Sequence, residues 1–212
     1  MSRKLKLNII PLLIVVFFFT CNSSSDLKHD SEKSKDGLKN SINSNPYFPV
    51  TDGNRWEYVN QAPRDETELF TVEVQNFKGD NKSAYFDLNS FPFFSRENKK
   101  MTLEITENGE IITDPYIDIK SVLIPATDKL NNGYTWNYGE WNASVSFLND
   151  TVVTENGVYT NCLFLNFTIS ITFDAEFWLA KDVGIVKWGY NRTNPPTFKP
   201  IYYVLKNMTL QK

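Results

Sequence analysis

The sequence predicts an all-β fold: a strongly curved antiparallel sheet, arranged as a half-barrel or sandwich, with little or no helix outside an N-terminal signal segment. Three observations carry this expectation. Aromatic residues make up 15% of the 212 residues, with 16 Phe, 10 Tyr and 5 Trp; these bulky side chains favour pleated strands and fill an interior. Apolar and polar residues alternate with period two through much of the chain beyond residue 45, as in a sheet with one buried and one wetted face. Asn-Gly turn signals punctuate that alternation at Asn108-Gly109 and Asn156-Gly157, each expected to close a hairpin with positive φ.

In chain order, the first element is not a strand. Arg3, Lys4 and Lys6 precede an unbroken apolar run of 11 residues from Ile9 to Phe19. Spanning a bilayer takes about 20 such residues, so the run reads as the core of a cleaved signal peptide, residues 1–20. Residues 22–45 are rich in Ser, Asn, Lys and Asp, and only Leu27, Leu38 and Ile42 are large and apolar. Such a segment buries too little surface to offset its ordering entropy, and reads as a flexible tether. The sole histidine, His29, lies within it.

Residues 46–212 read as a single β domain. Phe70, Val72 and Val74 alternate with polar neighbours, as do Ala84, Phe86 and Leu88, and then Met101, Leu103 and Ile105. The longest alternation runs over 163–179, where every odd position is apolar. Seventeen residues exceed the usual strand, so this one is expected to curve strongly or bend near Asp174. The last strands are expected over 185–190 and 201–210. Gly53-Asn54-Arg55-Trp56-Glu57-Tyr58 is echoed 80 residues on by Gly133-Tyr134-Thr135-Trp136-Asn137-Tyr138. In each, a glycine turn is expected to feed a strand that places Trp and Tyr on one face. These four aromatics, with Trp178, are either core plugs or shelves for a ligand.

The chemistry the sequence offers is sparse. A formal net charge of −3 leaves no basic footprint for nucleic acid. The residues after the tether contain no histidine and one cysteine, Cys162, so neither a metal site nor a His-activated nucleophile is expected. No catalytic residue and no cofactor is assigned, and Cys162 reads as inert packing. Asp174 with Glu176, and Asp114 with Asp118, are the only paired carboxylates considered for a hydrolase of envelope polymers. Wet-face acids on strands are commonplace, and a non-enzymatic role is the expectation.

Phe18-Phe19-Thr20-Cys21, followed by polar Asn22-Ser23-Ser24, resembles the lipobox of bacterial lipoproteins. The resemblance implies that Cys21 carries a lipid thioether and becomes the acylated first residue, which would anchor the chain in a membrane. Asn22 in place of Asp implies an outer-membrane address. The later residues resemble a loosely defined group of bacterial envelope lipoproteins. Three motifs carry that likeness: Tyr47-Phe48-Pro49 leading into Gly53-x-x-Trp56-x-Tyr58, Glu155-Asn156-Gly157-x-Tyr159-x-x-Cys162, and Trp178-Leu179-Ala180 running into Val183-Gly184-Ile185-Val186-Lys187. In that group a glycine is usual where Asp182 stands here. The resemblance implies a curved antiparallel sheet like the half-barrel of lipoprotein carriers. The function expected is to cradle an apolar small molecule or a protein partner, with a surface-exposed interaction module as the alternative.

Overall fold

The computed structural model describes residues 45–61, 69–79, 83–88, 101–116, 119–170, 173–191 and 200–211. Cys21, His29, the signal assignment and all of the tether assignment but its last residue lie outside these residues; that last residue, Asn45, is buried in the β domain.

Among the described residues, twelve strands form one antiparallel sheet nearly closed into a barrel. In chain order they are β1 Arg55–Asn60, β2 Leu69–Gly79, β3 Ser83–Leu88, β4 Met101–Thr106, β5 Ile111–Tyr116, β6 Ile119–Ile124, β7 Thr135–Tyr138, β8 Trp141–Val153, β9 Val158–Ser170, β10 Phe173–Ala180, β11 Gly184–Asn191 and β12 Ile201–Thr209. Sequential neighbours pair throughout, except β6 with β7, while the first strand pairs with the last. The barrel is therefore two six-stranded meanders joined by the β1–β12 ladder, with a seam between β6 and β7. Two bonds cross that seam: Trp136 Nε1 donates to the Val122 carbonyl at 2.8 Å, and the Gly139 N–H to the Ser121 hydroxyl at 3.2 Å. A single 3-10 turn, Thr127–Lys129, is the helical element among the described residues.

The two Gly-x-x-Trp-x-Tyr segments open the two meanders with matching backbone geometry. Gly53 and Gly133 sit at φ 83° and 82°, a left-handed conformation that costs a glycine nothing. The Gly53 N–H bonds the Val74 carbonyl, and the Val74 N–H returns to Asn54. Gly133, Val145 and Tyr134 repeat that exchange. Each tryptophan then reaches into the other half: Trp56 Nε1 donates to the Val183 carbonyl at 2.7 Å, as Trp136 does to Val122. The echo in the sequence is thus repeated in the backbone.

The 163–179 alternation is two strands, which corrects the expectation of one long strand. Ser170 pairs with Phe173, so the chain reverses between them. A hairpin in that register would put odd residues of one strand opposite even residues of the other. A bulge between Phe173 and Asp174 resets the pairing, so that Phe167 faces Ala175, Leu165 faces Phe177 and Leu163 faces Leu179. Odd positions therefore point inward on both strands, and the reversal leaves no break in the sequence pattern.

Both Asn-Gly sites close hairpins, yet neither as two residues of positive φ. At the first, only Gly109 is left-handed, at φ 78°, in a three-residue loop where the Gly109 N–H bonds Thr106 O and the Thr106 N–H bonds Glu110 O. At the second, the Thr154 hydroxyl accepts from the N–H groups of Asn156 and Gly157 at 3.1 Å each. The side chain there supplies what left-handed backbone would otherwise provide.

Candidate functional site

Two of the three sequence motifs, Tyr47-Phe48-Pro49 with Gly53-x-x-Trp56-x-Tyr58 and the Val183-Gly184-Ile185 turn, meet at one end of the barrel; the third, over 155–162, lies in the β8–β9 hairpin. Asn45 is fully buried, and its amide donates to the carbonyls of Gly109 and Pro125 at 3.0 Å each. Its Oδ1 accepts from the Tyr47 N–H at 3.0 Å. The clamp seats Phe48 against Trp56, ring centroids 5.8 Å apart, and against Phe86 at 6.4 Å. The Asp182 N–H donates to Pro46 O at 2.6 Å. Tyr58 sends its hydroxyl to the Ile185 carbonyl at 2.9 Å, and burial pushes its phenol well above the ordinary pKa. Asp182 takes φ 62°, so the position that favours glycine in the resembled group keeps a left-handed backbone here. These motif residues plug the barrel.

Inward residues fill the remaining interior. Trp56 and Tyr58 are 1% exposed and Tyr138 is fully buried. Phe167 packs edge-on against Trp136, Tyr138 and Phe177, with centroids 5.7, 5.9 and 5.8 Å away. A void bounded by Leu123, Ile124, Leu165, Phe167, Phe177, Leu179 and Ile185 measures about 10 Å³, room for one water at most. The expected apolar cradle therefore finds no ligand-sized space in that void. Of the five aromatics singled out, Trp56, Tyr58 and Tyr138 are core, and Trp136 is a half-buried bolt across the seam.

Trp178 differs: it lies on the outer face, where the structure groups it with Lys187 of its own motif and with Phe164 and Tyr202, which the sequence did not single out. Cross-strand pairing brings Phe164, Trp178 and Lys187 into one row. Phe164 sits 4.8 Å from Trp178, and Tyr202 meets Trp178 edge-on at 5.8 Å. The Lys187 ammonium lies 4.4 Å from both the Trp178 and Tyr202 ring centroids, a two-sided cation–π arrangement. Burial lowers the Lys187 pKa, opposed by Glu176 and Asp150. The Tyr202 hydroxyl donates to Glu176 at 2.7 Å, and burial, with that carboxylate, raises its pKa. Gly189 makes this possible, because a methyl group there would overlap the Tyr202 ring and the Ile201 carbonyl. Trp178 is only 8% exposed, so Phe164, Lys187 and Tyr202 present the cluster to solvent. Its one sequence signal was the motif that holds both Trp178 and Lys187.

The paired carboxylates have separate partners. Asp174 accepts from the Thr168 hydroxyl at 2.6 Å and Glu176 from Tyr202. The side chains of Asp114 and Asp118 lie outside those described. Cys162 is fully buried, with Sγ 3.5 Å from the Tyr159 carbonyl, and burial pushes its thiol up, away from the reactive thiolate. Among the described residues, no three potential metal ligands converge.

No protein-family model and no curated protein matches the chain. Two crystal structures are similar in fold. One is a candidate lipoprotein from Parabacteroides distasonis, 12% identical with a TM-score of 0.46, over 79% of this chain and 100% of that one. The other is a candidate exported protein with a YmcC-like fold from Bacteroides fragilis, 14% identical with a TM-score of 0.44, over 77% of this chain and 98% of that one.

Proposed function

We propose that this is an exported, non-enzymatic lipoprotein of the cell envelope, anchored at the outer membrane through Cys21 and acting through the outer surface of its barrel. The observation that supports the outward reading is the close packing of inward side chains among the described residues. Where the interior void holds about 10 Å³, recognition falls to the outside of the sheet, where Phe164, Lys187 and Tyr202 form a fixed cluster on the wetted face. Residues such as Thr135, Asn137, Asn142, Ser144 and Glu176 alternate outward with buried ones, which makes that outside compatible with water. Of the two readings formed from the sequence, ligand cradle and interaction module, the small size of that void supports the second.

The anchor follows from the N-terminal residues. Acyl chains contribute about 0.8 kcal/mol per buried CH₂, so two or three chains hold a protein firmly. Metabolic labelling with radioactive palmitate, followed by fractionation, tests this directly. Wild-type protein is expected in the membrane fraction with label, and Cys21→Ser in the soluble fraction without it. A Cys21→Ser variant that remained wholly membrane-bound would overturn the anchor.

A further inference from the structure

We infer that the outer face of β7, β8 and β9 binds a neutral, polyhydroxylated chain: a glycan segment of a few sugar residues. This rests on the outward-acting reading above and names its ligand class.

Pairing aligns two rows of side chains on this face. Thr135 lies opposite Ser144, which lies opposite Asn166; Asn137 lies opposite Asn142, which lies opposite Thr168. Thr135, Asn137, Asn142, Ser144 and Thr168 border a concavity of about 450 Å³, within the range of small-molecule sites. The core-facing Trp136 and Ala143 also contribute to its lining. The five outward side chains are amides and hydroxyls, each able both to donate and to accept. Among the described residues no charged side chain lines the concavity itself, and the rows continue beyond it to the carboxylates Asp174 and Glu176. Vicinal sugar hydroxyls need that dual capacity. An acyl chain would strand these polar groups, and an anionic ligand would meet the Asp174 and Glu176 carboxylates next in the rows.

Two further features separate this face from an ordinary wet one. The first meander carries ion pairs Arg55–Glu57 and Lys120–Glu104, with Glu110 paired with Lys129 beside it; in the echoed segment of the second meander, Thr135 and Asn137 stand where Arg55 and Glu57 stand in the first. The hydrogen-bond chain at the border is also incomplete. Asn166 donates to Thr168 at 3.4 Å and Thr168 to Asp174 at 2.6 Å, while Asn166 Oδ1 is buried with no protein donor. Phe164 lies two residues along β9 from Asn166, and Tyr202 lies across β10 and β11, past Glu176 and Gly189; both are half-buried, and their rings offer apolar surface to sugar C–H faces.

Titration calorimetry on the full chain, in a detergent without a sugar head group, would use maltotriose, cellotriose, mannotriose and chitotriose, with a sulfated disaccharide as the anionic probe. At least one neutral trisaccharide is expected to bind with a dissociation constant below about 1 mM. Asn137→Ala and Asn142→Ala should each weaken it tenfold or more without moving the thermal midpoint, and Arg55→Ala should leave it unchanged. Absence of binding by all four, or binding indifferent to both asparagine variants, overturns the proposal. Binding of the sulfated probe alone, lost in Asn142→Ala, would overturn the neutral ligand yet leave the outward-acting reading standing. If no outer-face variant altered any binding, both would fall.

Discussion

At the scale of single residues, Tyr58 shows how a buried polar group ties stability to pH. Its hydroxyl bonds the Ile185 carbonyl at 2.9 Å, and burial raises its pKa well above 10.0. In the unfolded chain the phenol ionises at its ordinary value, so above it the unfolded state binds fewer protons than the folded one. Stability from this group is thus fully present below pH 10 and falls as pH rises beyond it. Tyr58→Phe should cost about 1 kcal/mol at neutral pH through the lost hydrogen bond. Its loss of stability at alkaline pH should be shallower than that of the wild type. Denaturant titrations on either side of pH 10 would check both, and parallel curves for the two proteins would assign the alkaline loss elsewhere. The sequence marked Tyr58 through its motif, but not the carbonyl it would meet 127 positions away.

At the scale of elements, side-chain alternation was legible and reversals were not. The alternations of Ala84, Phe86 and Leu88 and of Met101, Leu103 and Ile105 fall in β3 and β4. The β9–β10 reversal was invisible, since its bulge keeps odd residues inward on both sides. Asn76 and Asn161, left-handed at φ 55°, lie at or beside other register shifts, and asparagine tolerates that conformation better than most residues. Gly189 is the element-level test of the outer cluster. Gly189→Ala should cost about 1–3 kcal/mol, because the added methyl group meets the Tyr202 ring and a fixed backbone carbonyl. Gly157→Ala, with open space around it, should stay within about 0.5 kcal/mol. Equal effects on the thermal midpoint would mean that Tyr202 does not lie over β11.

At the scale of the whole molecule, closure depends on contacts remote in sequence. Asn45 joins the β4–β5 turn to the segment after β6, and the plug behind it sets Phe48 on Trp56. Asn45→Ala removes two buried donors and the acceptor that holds Tyr47, leaving the carbonyls of Gly109 and Pro125 unmet. A loss of about 2–4 kcal/mol is expected, as a shift in denaturation midpoint at constant slope. A shift below about 0.5 kcal/mol would show that the barrel closes without this clamp.

The sequence by itself determined the all-β class, most strand positions and the inward set of side chains, because alternation and glycine turns are local properties written along the chain. It also marked Trp56, Tyr58, Trp136, Tyr138 and Trp178. Only the tertiary structure decided that the first four lie in the plug, core and seam while Trp178 sits outside. It alone brought Phe164, Lys187 and Tyr202 together, and aligned the amides of β7 and β8 beside a concavity. Which face a strand turns inward is a matter of period, but which strands become neighbours depends on ladder pairing and closure between residues far apart in sequence.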